Sequence, residues 1–335
     1  MSRALDDDVK RALKHGDHEQ VFHRVADALT QRLPELLEVE FLGRSHMVDE
    51  HTVILQDGPA IAVPKLRLVQ AFLYARGLLK KYVGGVLDGG NGDGLVTRAT
   101  AVILLMDPEH LTAANTRKRL LRDAIKSGTD IGSKLQDELY FIDSLLTSRL
   151  HRHTKSPTLW SHRQWLMQQF QHRDLAIDPT NTMKSVILIA AERHPRNYYA
   201  WLHARYLTQA VAETTPFQEQ QQQQLAGILE AAQKWALAHH DDVSGWAFLM
   251  FFLDRHPEYA GTVVGEATRR AVSFHWRNEA VWYFLRNIVA RPWCGRDARE
   301  GVEAARLALL KGVEARSDGE RVLRQASSWI EEYST

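Results

Sequence analysis

The chain has 335 residues, 44% of them hydrophobic and 25% charged, the composition of a globular protein with a sizeable interior. Lys+Arg 42 against Asp+Glu 41 gives no bias toward nucleic acid or an anionic membrane. The single cysteine, Cys294, excludes an internal disulfide framework and any multi-cysteine zinc site.

The first stretch, MSRALDDDVKRAL, is acidic and has no apolar core, so it does not read as a signal peptide. The longest apolar run, residues 246–253, is far short of the ~20 residues a membrane helix needs. The expectation is a soluble, cytoplasmic protein without a transmembrane segment. Residues 4–41 read mostly as helix: Val21, Val25, Leu29 and Leu33 recur at spacings of four, and Pro34 kinks or restarts the helix. Residues 51–63 are β-branched and split by Gln56-Asp57-Gly58-Pro59, which predicts a small hairpin or an extended arm. Residues 65–83 form an amphipathic helix with lysines in its last turn, and residues 84–94, GGVLDGGNGDG, a flexible loop whose glycines fit no phosphate-binding pattern.

From residue 95 onward helices come in pairs. The spacing predicts a helix containing AVILLM that stops near Asp107-Pro108, then one at about 110–125. Pairs follow at 131–150 with 157–171, 180–193 with 196–210, 218–239 with 243–254, and 260–275 with 278–290. Helices at 297–312 and 318–332 cap the stack. Proline boundaries at Ser156-Pro157, His194-Pro195 and His256-Pro257 agree. Asn197 and Asn278 stand where N-caps belong. The glutamine run 220–224 reads as a solvated helix start after a TTPF linker.

Four tryptophans open the second helix of successive pairs: Trp160, Trp201, Trp246 and Trp282, spaced by 41, 45 and 36 residues. A fifth copy lies 46 residues before Trp160, with Ala114 in the tryptophan position. A motif with this period is the signature of a repeat architecture whose units bury their apolar faces against one another. Arg163 follows Trp160 and Arg205 follows Trp201 on a shared helix face, and His162 and His203 occupy the same place in both copies. The tryptophan then anchors the hairpin while the arginine reaches carbonyls or carboxylates of the adjacent repeat. The predicted fold is all-α: an α-α superhelix of helical hairpins with a small extended N-terminal segment. Its divisions are an N-terminal region (1–94), five repeats (95–292) and C-terminal capping helices (293–335).

KSPTLWSHRQWL and RNYYAWLHARYL resemble the α-subunit repeat of protein prenyltransferases, over about residues 95–292. The upstream PEHLTAANTRKRLL and the N-terminal TVILQDGPAIAVPKLRLVQAFLYARGLLKKY are similar to a divergent branch of that family. Departures are Ala114 for tryptophan, and Leu249 and Leu285 where arginine or another polar residue is usual, so the last two copies read as structural.

The resemblance implies a crescent-shaped α-type subunit, inactive alone, that wraps a β subunit carrying the zinc and the lipid pocket. It implies geranylgeranyl diphosphate as co-substrate and no cofactor held by this chain. The divergent branch implies the β subunit of Rab geranylgeranyltransferase as partner and an already prenylated protein, such as a SNARE, as acceptor. It further implies Lys155, five residues before Trp160, as the catalytic cation facing the departing diphosphate. Arg196, Asn197, Tyr198 and Tyr199 are the implied substrate-binding residues. The family's tyrosine two residues after the lysine is replaced by Pro157, which removes one expected polar contact. Two alternatives stand beside this reading: a non-enzymatic helical-repeat scaffold, and the α subunit of farnesyltransferase or of Rab geranylgeranyltransferase itself.

From the residues alone, a lysine ahead of a helix is solvated and Asn197 is a helix cap. His151 and His153, at i and i+2, do not share a helix face and lack further ligands for a metal.

Overall fold

The helix expected over residues 4–41 ends early, because Pro34 offers no N–H and the residues after it alternate as a strand. The computed structural model describes residues 7–43, 52–87, 91–128, 130–214 and 218–333. Residues 4–6, His51, the middle of the glycine-rich loop (88–90) and most of the TTPF linker (215–217) lie outside these. The chain divides into two compact units, Met1–Ile177 and Asp178–Thr335.

The first unit begins with α1 (Asp7–His15) and α2 (His18–Thr30), the latter capped by Asp17, which accepts the Gln20 N–H at 2.9 Å. Residues 31–37 then run without helix along a later one: Ser144 Oγ accepts the Leu37 N–H at 3.0 Å, and Tyr140 donates to the Glu35 carbonyl. Strand β1 (Glu38–Leu42) replaces the helix predicted there. It pairs in parallel with β3 (Ala60–Pro64), which forms an antiparallel hairpin with β2 (Leu55–Asp57). The hairpin is as predicted, with Gly58 at φ 56° making its turn. The strand that joins it was not foreseen. Val39, Ile61 and Val63 are buried, so the sheet's inner face is part of the core.

Next come α3 (Lys65–Val83) and α4 (Asn91–Met106). The helix starts inside the stretch read as a loop, so residues 91–94 are its first turn. Residues 99–105 of α4 are fully buried, as expected of a helix apolar on all sides. The unit closes with α5 (Leu111–Lys126), α6 (Ile131–Leu146), the short α7 (His151–Thr154) and α8 (Pro157–Gln171).

The second unit starts with α9 (Pro179–Thr182), one π-helical turn (Met183–Ile187) and α10 (Leu188–Arg193), which together fill the predicted span 180–193. Then follow α11 (Tyr198–Thr214), α12 (Gln218–Ala238), α13 (Val243–Leu253), α14 (Ala260–Ser273), α15 (Glu279–Val289), α16 (Arg296–Leu310) and α17 (Asp318–Tyr333). Helices α12, α14 and α16 stack as one layer; α11, α13, α15 and α17 stack as the other. Helix makes up 74% of the described residues, so the all-α prediction holds.

All four motif tryptophans are buried, Trp246 and Trp282 completely. In the second unit Trp201 meets Trp235 of α12 at 5.1 Å and Phe248 of α13 at 5.4 Å, and Trp246 meets Phe284 of α15 at 5.0 Å. Gly245 makes room for this spine, since a Cβ there would lie 2.9 Å from the Trp235 ring. Trp201→Ala is expected to destabilise the protein by about 3–5 kcal/mol, the usual cost of emptying an aromatic site. Gly245→Ala is expected to destabilise by about 1–3 kcal/mol through overpacking. His172→Ala, on the exposed end of α8, is expected to fall within about 0.5 kcal/mol of wild type. Urea denaturation of the three variants checks all three values.

Candidate functional site

Each tryptophan helix starts in the same way. A small polar residue stands four positions before the tryptophan: Ser156, Asn197, Asp242 and Asn278. Three of these caps also tie their helix start to the preceding pair. Ser156 Oγ donates to the Pro108 carbonyl at 3.2 Å, Asp242 Oδ2 accepts the Arg196 N–H at 2.6 Å, and Asn278 Nδ2 donates to the His240 carbonyl at 2.8 Å. Asn278 makes no capping bond from its side chain, so the predicted cap serves the neighbouring repeat instead. The indole N–H groups add a second tie. Trp160, Trp246 and Trp282 donate to the carbonyls of Thr154, His240 and Trp276, each six residues upstream. Trp201 has no such bond, and in that copy the chain turns through Arg196 at φ 58°.

The residues implied by the resemblance sit on these helix starts. In the first unit Lys155 is exposed, at the end of α7 and just ahead of α8. In the second unit Arg196 is exposed and Tyr198 is 63% exposed, with Tyr199 half-buried edge-on to Tyr198 at 5.4 Å. Asn197 differs from them. It is 1% exposed, its Oδ1 accepts the Ala200 N–H, and its Nδ2 donates to the Ala190 carbonyl. Capping uses both ends of its amide, while Lys155, Arg196 and Tyr198 present their side chains to solvent.

Beneath the first-unit surface lies a charged network that the sequence reading missed. Arg117 on α5 grips Glu138 on α6 with both ends of its guanidinium, Nε–Oε1 2.8 Å and Nη2–Oε2 2.5 Å. Its Nη1 donates to the Thr97 carbonyl and to Thr100 Oγ1 on α4, and its head lies 4.4 Å from the centre of the Phe141 ring. His162 on α8 brings Nε2 to 3.0 Å from Glu138 Oε1. The three side chains are 3%, 5% and 0% exposed. Four helices therefore meet around the Arg117–Glu138 pair. The signal was present: Arg117 stands three residues after Ala114, as Arg163 stands three after Trp160. Arg163 is also buried and paired, at 2.7 Å, but with Asp143 on the first helix of its own pair, not on the adjacent repeat as expected. Arg205 does reach the adjacent repeat, at the Ala247 carbonyl.

The two buried carboxylates respond differently. Burial alone would raise Glu138, but Arg117 and His162 outweigh it and hold the carboxyl at about 2. Asp143 has only Arg163 against burial, and burial wins, so its pKa is raised. Burial pushes the pKa of His162 down against the pull of Glu138, which favours its neutral form with Nε2 facing the carboxylate. Burial likewise lowers His153 to about 4, against the Leu105 and Leu104 carbonyls that Nε2 meets at 2.9 and 3.2 Å. His153 thus clamps the end of α4. Among the described residues, no group of three or more His, Cys, Asp or Glu side chains could hold a metal ion, and no helix is long and apolar enough to cross a membrane.

A cavity of about 720 Å3 adjoins the network, walled by Leu29, Leu120, Tyr140 and Phe141 with Arg117 and Glu138 at one side. In the middle of α8, Trp165 carries two cations over its ring, Lys118 at 5.8 Å and Arg122 at 5.3 Å from its centre. In the second unit Arg205 and Arg255 stand over Phe251 in the same manner.

Two outcomes follow. Arg117→Met or Glu138→Leu alone should cost about 3–5 kcal/mol by stranding a buried charge, while the double variant should cost clearly less than the sum. A double-mutant cycle in urea checks this. His153 binds its proton more weakly folded than unfolded, so its contribution is complete above about pH 6.5 and is lost as pH falls toward about 4. The shift corresponds to about 3 kcal/mol, and His153→Asn should flatten the decline of urea midpoint between pH 7 and 4.5.

The profile of the protein prenyltransferase alpha subunit repeat matches residues 135–170, and that of the ECM9 middle domain matches residues 159–275. The human protein prenyltransferase alpha subunit repeat-containing protein 1 is 31% identical over 180 residues, 49% of this chain and 40% of its own length. The Danio rerio protein of the same name is 27% identical over 172 residues, 46% of this chain and 36% of its own. The Xenopus laevis form 1-A is 27% identical over 182 residues, 49% and 38%. The matched segment therefore spans about two fifths of each relative. Residues 135–170 of this chain match the protein prenyltransferase alpha subunit repeat, and about half of the chain is similar to the repeat-containing proteins named for it.

Proposed function

We propose that this chain is the α-type subunit of a heterodimeric protein prenyltransferase that moves a geranylgeranyl group to a cysteine of an already prenylated protein, such as a SNARE. Its partner is the β subunit of Rab geranylgeranyltransferase, which carries the zinc and the lipid pocket. The observation that supports this reading is Lys155: an exposed cation at the start of a tryptophan helix, inside the segment 135–170 that matches the repeat profile. Arg196 and Tyr198 hold the corresponding exposed places ahead of Trp201.

The chemistry asks little of this chain and asks it at one moment. As the prenyl carbon loosens from its diphosphate, the departing oxygens gain charge. A lysine set beside them stabilises that charge as it forms. Asn197 contributes by holding the helix start that presents Tyr198 and Tyr199.

A second reading is favoured by the later copies. Leu249 and Leu285, three residues after their tryptophans, are fully buried and apolar. A repeat scaffold without transfer activity would need no more than this packing.

Co-expression with the β subunit of Rab geranylgeranyltransferase is expected to yield a stable 1:1 complex by size-exclusion chromatography; separate peaks would favour the scaffold. In that complex Lys155→Ala is expected to lower kcat by about 10- to 100-fold, or about 1.4–2.7 kcal/mol, without loss of assembly. Lys155→Arg is expected to recover part of the rate, because charge is kept while geometry changes. Single-turnover prenyl transfer measures both.

A further inference from the structure

Helix α5 carries Arg117, Lys118, Arg119, Arg122 and Lys126 against one acid, Asp123. Glu138 neutralises Arg117, and Asp123 pairs with Lys126 at 3.5 Å. Among the described residues, no carboxylate pairs with Lys118, Arg119 or Arg122. The neighbouring helix α8, PTLWSHRQWLMQQFQ, contains no acid at all. Lys118 and Arg122 lie one turn apart and both pack on the ring of Trp165, at 5.8 and 5.3 Å from its centre. Lys118 is half-buried.

Two cations on one aromatic ring, without counter-charges, repel each other. Burial first, and Arg122 second, lower the pKa of Lys118 against the pull of Glu138. The ring anchors both heads from below, and their outer sides lack a partner. One carboxylate brings a single charge, whereas a phosphate or diphosphate brings two in a compact group whose oxygens suit both a guanidinium and an ammonium.

We infer that Lys118 and Arg122, seated on Trp165, form a binding site for a small soluble phosphate or diphosphate compound. The site lies on α5 and α8, uses none of the residues assigned to prenyl transfer, and does not depend on that reading.

The test uses the full chain and inorganic pyrophosphate, with chloride at matched ionic strength as the reference. Calorimetry should show saturable binding, and the melting temperature should rise with pyrophosphate but not with chloride. Lys118→Gln/Arg122→Gln should weaken binding at least about tenfold, and Arg122→Gln alone should weaken it in part. The control Lys80→Gln/Lys81→Gln removes the same charge from an exposed basic pair on α3 and should bind as wild type. Without pyrophosphate, the double variant should melt at or above the wild-type temperature, because a repulsion has been removed. Unchanged affinity in the double variant overturns the proposal, as does equal loss in the control. So does a double variant that fails to fold while Arg122→Gln binds normally, which would make the pair structural. Tighter binding of a hexaglutamate peptide than of pyrophosphate would also overturn it, in favour of an acidic protein segment.

Discussion

A carboxylate buried among four helices constrains the first unit more than any apolar contact does. Glu138 cannot stay ionised in that interior unless Arg117 and His162 are in place. Arg117 in turn is satisfied only if the Thr97 carbonyl and Thr100 hydroxyl of α4 are within reach. An apolar core tolerates sliding and repacking. A buried Arg117–Glu138 pair that must also be met by His162 on α8 and by Thr97 and Thr100 on α4 does not. The angle and register of α4, α5, α6 and α8 are therefore set together, and a shift of any one helix strands a charge.

The repeats also use polar atoms to lock one pair onto the next at their edges. A cap residue ordinarily satisfies its own helix. Here Ser156, Asp242 and Asn278 reach back to the preceding pair, at Pro108, Arg196 and His240. The indoles of Trp160, Trp246 and Trp282 fill the core and at the same time hold the approach to their helices through carbonyls six residues upstream. These ties fix the short segment ahead of each tryptophan helix, where Lys155 and the 196–199 segment are presented. Rigid support close behind an exposed cation is what a site needs if its charge is to be in position before the reaction begins.

The copies are not equivalent, and the differences have physical sense. Where Arg163 pairs with Asp143 and Arg117 with Glu138, the interior carries charge. Where Leu249 and Leu285 take the corresponding positions, it carries apolar packing. The Trp201 copy departs in another way: its indole lacks the upstream carbonyl, and Arg196 turns through the left-handed region while its N–H is taken by Asp242.

The sequence by itself determined the helical pairs, their boundaries to within a few residues, a hairpin or extended arm at residues 51–63 and the buried fate of the tryptophans. All of these follow from local periodicity, proline placement and the recurrence of one motif, which need no knowledge of distant partners. It did not reveal strand β1, whose pairing with β3 joins residues about twenty apart, nor the early start of α4, where glycines open a helix that tertiary packing sustains. The same limit applied to the interior charges. Arg117, Glu138 and His162 each read as ordinary members of an amphipathic helix, and only the packing of four helices decided that they share one dry pocket. Likewise Lys118 and Arg122 became a pair on a single ring because α8 lies against α5, and the motif spacing alone does not encode that contact.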